Sequence, residues 1–268
     1  MASVYCNAAF NYFDEQGLVT HELPILNARE ADCQWQTCGF ERIHLPSAVH
    51  DWQDAAEVEK VHYDEITAYA KQRTGAHSVL FYPATLRSPA ALKQSADFGP
   101  IQFVHSDYTE SYRQIIGNAD HPYHHILQPS MARAGVSAEV IRSASRVVTL
   151  QFWRNTGPTD ADYPLAVCDA RSVSRDELLP ITVETYGGVP TGFDSFAVRS
   201  SEQVRQHKWY TYPQLQRDEV LMFRAFDSAL AENGGTFWTP HSAFKDPVVA
   251  QPQPRCSVEM RAICLIGS

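Results

Sequence analysis

A series of short segments rich in β-branched and aromatic residues, separated by turns, runs through the last two thirds of this chain and constrains its fold more than any other feature. Val147-Val-Thr-Leu-Gln-Phe-Trp is the clearest of them, and such residues pack well on a pleated, half-buried surface. Ile101-Gln-Phe-Val-His105, Leu165-Ala-Val-Cys168, Ser195-Phe-Ala-Val198, Trp209-Tyr-Thr-Tyr212, Glu219-Val-Leu-Met-Phe223 and residues 258–266 read the same way. Strands at this spacing, with few long helices among them, predict an antiparallel barrel or sandwich. A parallel sheet would need strands alternating with long helices. The first third is mixed. Strands are expected over residues 4–13, 39–45 and 78–82, with a polar turn at Asn27-Ala-Arg-Glu30. Val58, Val61, Ile66 and Tyr69 recur at helical intervals and predict a helix over 55–73, stopped by Gly75. Short helices are expected at 111–116 and 137–145. Gly187-Gly188, Gly234-Gly235 and Asp227-Ser228 read as turns.

Composition narrows the function. The 22 Lys+Arg against 31 Asp+Glu leave a net charge of −9. No basic cluster stands out, so neither the counterion-release route to nucleic acid nor attraction to an anionic membrane has a footprint. No apolar run approaches the roughly 18–20 residues that span a bilayer, and no secretory signal opens the chain. The six cysteines are scattered, none in Cys-x-x-Cys; they are expected as free thiols in the cytosol. At roughly 150 residues per domain, 268 residues allow one large domain or two small ones. There is no Gly-x-Gly-x-x-Gly, no P-loop and no Gly-x-Ser-x-Gly elbow.

The chemistry is expected at His105-Ser-Asp107. On a strand, residues i and i+2 share a face, so His105 and Asp107 can converge on one metal ion while Ser106 points away. An imidazole and a carboxylate are two thirds of the 2-His-1-carboxylate triad of non-haem Fe(II) oxygenases. His241, in Phe237-Trp-Thr-Pro-His241, can complete it, although a histidine after proline can equally be held by backbone alone. Arg255, Ser257, Glu259 and Arg261 share one parity and so one face. Buried charges need partners. A guanidinium fork gripping a carboxylate ligand would satisfy one arginine; a purely structural Arg–Glu–Arg ladder is the alternative. Arg154, at the end of the clearest strand, is a further cosubstrate-binding candidate, or else a rim ion pair. His121-Pro-Tyr-His-His125 reads as a loop near the mouth of the site.

His-x-Asp, a distant His and then Arg on the next strand resemble the Fe(II)/2-oxoglutarate-dependent oxygenases, with a His-to-Arg spacing similar to that of the clavaminate synthase and taurine dioxygenase branch. More specifically, the chain resembles the AsaB/CmcJ-like hydroxylase/desaturase family. The blocks that carry the resemblance are Asn27-Ala-Arg-Glu, Cys38-Gly-Phe-Glu, Val104-His-Ser-Asp-Tyr-Thr, Phe152-Trp-Arg, Pro164-Leu-Ala-Val-Cys-Asp, Asp218-Glu-Val, Phe226-Asp-Ser, Thr239-Pro-His-Ser-Ala-Phe-Lys-Asp-Pro and Pro254-Arg-Cys-Ser-Val-Glu-Met-Arg-Ala. They span residues 27 to 262. Asn155 stands where the family has proline, and Cys256 where it has glutamate.

The resemblance implies a mainly β, double-stranded β-helix (jelly roll) with flanking α-helices, formed by residues 1–268 as one domain. It implies Fe(II) on His105, Asp107 and His241, with 2-oxoglutarate as cosubstrate. The far carboxylate of 2-oxoglutarate would lie on Arg255, with Arg261 the alternative. Hydroxylation or desaturation of a small natural product, with O2 consumed and succinate and CO2 released, would follow. A jelly-roll isomerase, a cofactor-independent dioxygenase and a non-catalytic binding protein are the competing readings. The aromatics Phe152-Trp153 and Phe237-Trp238, if they line the pocket rather than the core, suit an apolar or ring-bearing substrate.

Overall fold

The computed structural model describes residues 2–267, so the two terminal positions of the expected 1–268 unit lie outside the described residues. In chain order the strands are β1 (Val4–Asp14), β2 (Gly17–Asn27), β3 (Phe40–His44), β4 (Ser78–Phe81), β5 (Thr85–Arg87), β6 (His105–Ser106) and β7 (Arg146–Asn155). There follow β8 (Leu165–Cys168), β9 (Leu178–Tyr186), β10 (Val189–Val198), β11 (Trp209–Thr211), β12 (Glu219–Asp227), β13 (His241–Ala243) and β14 (Ser257–Ile266). One sheet runs β1-β2-β11-β8-β13-β6-β10-β9. The other runs β3-β12-β7-β14-β4, with β5 pairing the first half of β14. Two mainly antiparallel sheets with few helices form the expected jelly-roll architecture. The β11–β2 pairing is parallel, a departure from the all-antiparallel reading.

Trp153, Leu221 and Phe223 of the smaller sheet pack with Leu165 and Val167 of the larger. On the other face of the smaller sheet, Val148, Leu150 and Phe152 pack with Ile66 and Ala70 of the helix Tyr63–Thr74. Both faces of β7, β12 and β14 are therefore covered, which is why their sequences read as near-continuous apolar runs rather than alternating ones. The predicted 55–73 helix is present. It begins at Asp54, whose side chain caps the backbone of Ala56 and Glu57, contains a π-helical turn at Val58–His62 and ends at Gly75 with φ +73°.

Four segments differ from expectation. β2 completes a hairpin with β1, and β9 one with β10; both new strands are partly exposed, and β9 is an edge of its sheet. The His121–His125 stretch is not a loop: Pro122–Ala134 is a helix with His121 as its N-cap and Pro122 in its first turn, where a missing N–H costs nothing. Asp227-Ser228 is a strand-to-helix junction, with Asp227 capping the helix Ser228–Glu232. Among the described residues, no helix is long and apolar enough to cross a membrane.

Candidate functional site

Strand register brings the histidines together. His105 of β6 lies directly opposite His241 of β13, and their ring centroids are 4.2 Å apart. Asp107, two residues beyond His105, turns to the same side. One ligand atom from each of His105, Asp107 and His241 falls within 4.8 Å of the others, and His241 Nε2 is 3.7 Å from Asp107 Oδ1. All three are buried.

The backbone fixes both imidazoles in the same way. His105 Nδ1 lies 2.9 Å from the carbonyl of Phe103, and His241 Nδ1 lies 3.0 Å from the carbonyl of Thr239. In each case the acceptor is two residues upstream. Nδ1–H donates to it, and Nε2 is left as a free lone pair. Burial, then the neighbouring His241, holds His105 down to about 3; burial likewise lowers His241. Both rings stay neutral. Burial pushes the Asp107 carboxyl upward, but the charge of Arg261 outweighs it and keeps the carboxylate ionised. Two neutral nitrogens and one carboxylate are what a divalent transition metal requires.

Gly39 supports this arrangement. At φ +98°, with an added Cβ only 2.5 Å from Thr239 Oγ1, no other residue fits so close to the segment that orients His241.

The inner face of β14 then meets the triad. Ser257, Glu259 and Arg261 lie opposite Asn155, Trp153 and Gln151 of β7, so the shared parity read from the sequence is observed. Arg261 is committed to Asp107, with Nε 3.0 Å from Oδ2. Glu259 is held by Arg87 through two hydrogen bonds. Arg255, just before β14, lines a small cavity with His105, His241, Gln151 and Arg87. Its Nη1 donates to the carbonyl of Tyr163 at 3.0 Å, and its guanidinium stacks 5.8 Å from the Trp153 ring centroid. Burial, then the charge of Arg87, pulls its pKa down to about 10. Arg255 Nε, Gln151 Oε1 and Ser257 Oγ are buried without hydrogen-bond partners. Two of these atoms, on Arg255 and Gln151, belong to residues that line the cavity and mark a place for a polar ligand, and an excess guanidinium makes that ligand an anion.

Arg154 is a correction. It shares the parity of Phe152, faces away from Gln151, and donates to the carbonyls of Arg217 and Leu45 over the Trp52 ring. Alternation along β7 turns it out of the site. Arg87 and Gln151 were missed by the sequence reading; parity with Trp153 would have pointed to Gln151.

A larger cavity of about 240 Å³ opens on the other side of Asp107 and Arg261, walled by Tyr82, Phe98, Tyr108, Tyr123, Tyr186 and Phe193 among others. The aromatics proposed for this role lie elsewhere: Phe152, Phe237 and Trp238 are core, and Trp153 lies under Arg255. Other blocks that carry the resemblance are structural. Arg29 grips Glu219 with Nη1 at 2.9 Å and Nη2 at 2.7 Å, Arg42 joins the same carboxylate, and together they unite the Asn27, Cys38 and Asp218 segments. The six cysteines are free thiols.

Residues 9–265 match the model of the family described as "Oxidoreductase/YMDC permease-like domain". The chain is 27% identical over 269 residues to the alpha-ketoglutarate-dependent dioxygenase phiK of a Fungal sp., covering 94% of this chain and 86% of that protein. It is 29% identical over 217 residues to the Fe(II)/2-oxoglutarate-dependent dioxygenase nvfI of Aspergillus novofumigatus, covering 80% and 69%. It is 27% identical over 261 residues to the hydroxylase/desaturase CTB9 of Cercospora beticola, covering 90% and 75%. Its fold is similar to that of a variant of the iron and alpha-ketoglutarate-dependent endoperoxidase NvfI, with TM-score 0.78 at 21% identity over 100% of this chain and 99% of that one.

Proposed function

We propose that this chain, which belongs to the oxidoreductase/YMDC permease-like domain family, is an Fe(II)- and 2-oxoglutarate-dependent dioxygenase that hydroxylates or desaturates a small molecule, releasing succinate and CO2. The observation that carries the reading is the buried His105–Asp107–His241 cluster beside an arginine with an orphaned Nε. Relatives named as dioxygenases and hydroxylase/desaturases support the same activity.

His105 and His241 would hold the iron through Nε2, and Asp107 through a carboxylate oxygen. Three ligands leave coordination positions for the cosubstrate and O2. Iron and 2-oxoglutarate together supply the oxidising chemistry; the protein supplies binding, orientation and dryness. Arg255 and Ser257 would donate to the far carboxylate of 2-oxoglutarate, and the Gln151 amide would meet its polar edge. Arg261 keeps Asp107 ionised and oriented. The free space around Arg255 is about 20 Å³, room for about one water and too little for a dicarboxylate. Entry of the dicarboxylate would turn the Arg255 side chain, which one carbonyl bond and the Trp153 ring restrain.

The substrate belongs in the larger cavity. Its one carboxylate and one guanidinium, Asp107 and Arg261, neutralise each other, so it offers a charged molecule no free partner. The aromatic walls suit a neutral, apolar or ring-bearing compound. We read residues 1–268 as one jelly-roll domain working in the cytosol, without nucleic acid or membrane as partner. Succinate release is measured with Fe(II), 2-oxoglutarate and a panel of small natural products, peptides and oligonucleotides. Stimulation by neutral small molecules is expected; stimulation by peptides or oligonucleotides alone would overturn the substrate assignment.

A further inference from the structure

Arg87 joins the two cavities. Pairing of β5 with β14 sets it opposite Ser257, and it is only 3% exposed. Nε and Nη2 donate to Glu259. Nη1 donates to the carbonyls of Asp97 at 2.8 Å and Gly99 at 2.5 Å, and Nη2 also reaches the Tyr186 hydroxyl at 2.9 Å. All the guanidinium donors are used, on three separate segments of chain. Arg87 lines the small cavity beside Arg255, whereas Tyr186 and Phe98 line the large one.

The tip of the β9–β10 hairpin is fastened to the short 3-10 helix Ala96–Phe98 at the rim of the large cavity. Gly187 N–H donates to Asp97 Oδ2 at 2.8 Å, and the Tyr186 hydroxyl donates to the Asp97 carbonyl at 3.1 Å. The Tyr186 and Phe98 rings meet edge to face at 6.0 Å. Gly187, at φ +58°, lets the tip approach; an added Cβ would lie 2.7 Å from the Phe98 ring.

Arg87 and Arg261 share two carboxylates, Glu259 and Asp107, beside Arg255. The Arg255 backbone N–H donates to Asp162 Oδ1 at 3.0 Å, but its guanidinium donates only to the Tyr163 carbonyl and stands in the repulsive field of Arg87. A dianion on Arg255 cancels that repulsion and leaves Glu259 to Arg87. We propose that Arg87 is a positioning residue that couples the two cavities: a dicarboxylate seated on Arg255 tightens Arg87 on Glu259, and through Asp97 and Tyr186 fastens the hairpin tip over the substrate. The proposal rests on the 2-oxoglutarate reading. Linkage makes the coupling reciprocal, so loosening the fastening must weaken dicarboxylate binding from a distance.

The test uses the full chain loaded with Fe(II) without oxygen. Binding of 2-oxoglutarate is followed by the visible absorption of its iron chelate, and backbone hydrogen exchange is followed at residues 186–189. Asp97 lines neither cavity, and Asp97→Ala removes the Gly187 bond. It should weaken 2-oxoglutarate binding about 5- to 10-fold, within the usual range of coupling between sites. It should also abolish the slowing of exchange at the hairpin tip that 2-oxoglutarate causes in the unaltered protein. Asp97→Asn, which keeps an acceptor oxygen, should restore both. Unchanged affinity in Asp97→Ala, or hairpin exchange indifferent to 2-oxoglutarate, would overturn the coupling while leaving the functional reading intact. Absence of the chelate band in the unaltered protein would overturn both.

Discussion

Replacing Arg255 by Gln should make the unloaded protein more stable while impairing it for 2-oxoglutarate. Arg255 is buried with a partnerless Nε, and its pKa falls from the ordinary 12.5 to about 10. That gap corresponds to about 3 kcal/mol against the charged side chain. Losing the stacking on Trp153 returns about 0.5–2 kcal/mol of it, and Gln can still donate to the Tyr163 carbonyl. The net gain is about 1–2.5 kcal/mol, or a Tm rise of roughly 2–10 °C for a domain of this size. The cosubstrate tells the opposite story. Loss of a charge-assisted bond worth about 1.5–3 kcal/mol should raise the 2-oxoglutarate needed for half-saturation about 10- to 150-fold. Thermal denaturation of the metal-free protein, alongside a 2-oxoglutarate titration of the iron-loaded one, measures both. A lower Tm with unchanged 2-oxoglutarate affinity would refute the reasoning and make Arg255 a structural residue.

Arg261→Gln should act on the metal instead: Asp107 loses the donor 3.0 Å away, and Fe(II) affinity should fall about 10- to 100-fold, as for other partners of metal ligands. Equilibrium dialysis checks it, and unaltered iron binding with impaired 2-oxoglutarate binding would exchange the roles of Arg261 and Arg255. His62 should impose acid sensitivity away from the site. Burial lowers it to about 4 despite its bond to Glu65. Between pH 6.5 and 4 the unfolded chain therefore binds a proton that the folded one does not, and stability falls as pH falls, by about 3 kcal/mol at most. Unfolding free energies of His62→Gln should lose that slope; an identical pH profile would contradict it.

Most of the architecture was legible because β7, β12 and β14, covered on both faces, carry uninterrupted apolar sequences. The β2 and β9 strands escaped because their exposed residues weaken that signal, and the helix at Pro122–Ala134 was hidden behind histidines that cap it or bind nearby carbonyls. The i, i+2 pairing of His105 and Asp107 followed from strand geometry, and the parity of Ser257, Glu259 and Arg261 from the same rule. His241 could be named from sequence, but only register sets it opposite His105. The same parity along β7 sets Gln151 on the inner face with Arg261 and turns Arg154 outward with Val258. Arg87 needed tertiary structure: nothing local shows that the Asp97 and Gly99 carbonyls, the Tyr186 hydroxyl and Glu259 would converge on it.

The central claim is that His105, Asp107 and His241 hold an iron that 2-oxoglutarate chelates, and the most direct measurement is the anaerobic titration of the Fe(II)-loaded protein with 2-oxoglutarate, read in the visible region. The account predicts a saturable, weak chelate band in the unaltered protein, and its loss in His105→Ala and His241→Ala with the circular dichroism of the fold retained. No band in the unaltered protein, or an undiminished band in both histidine variants, would contradict it.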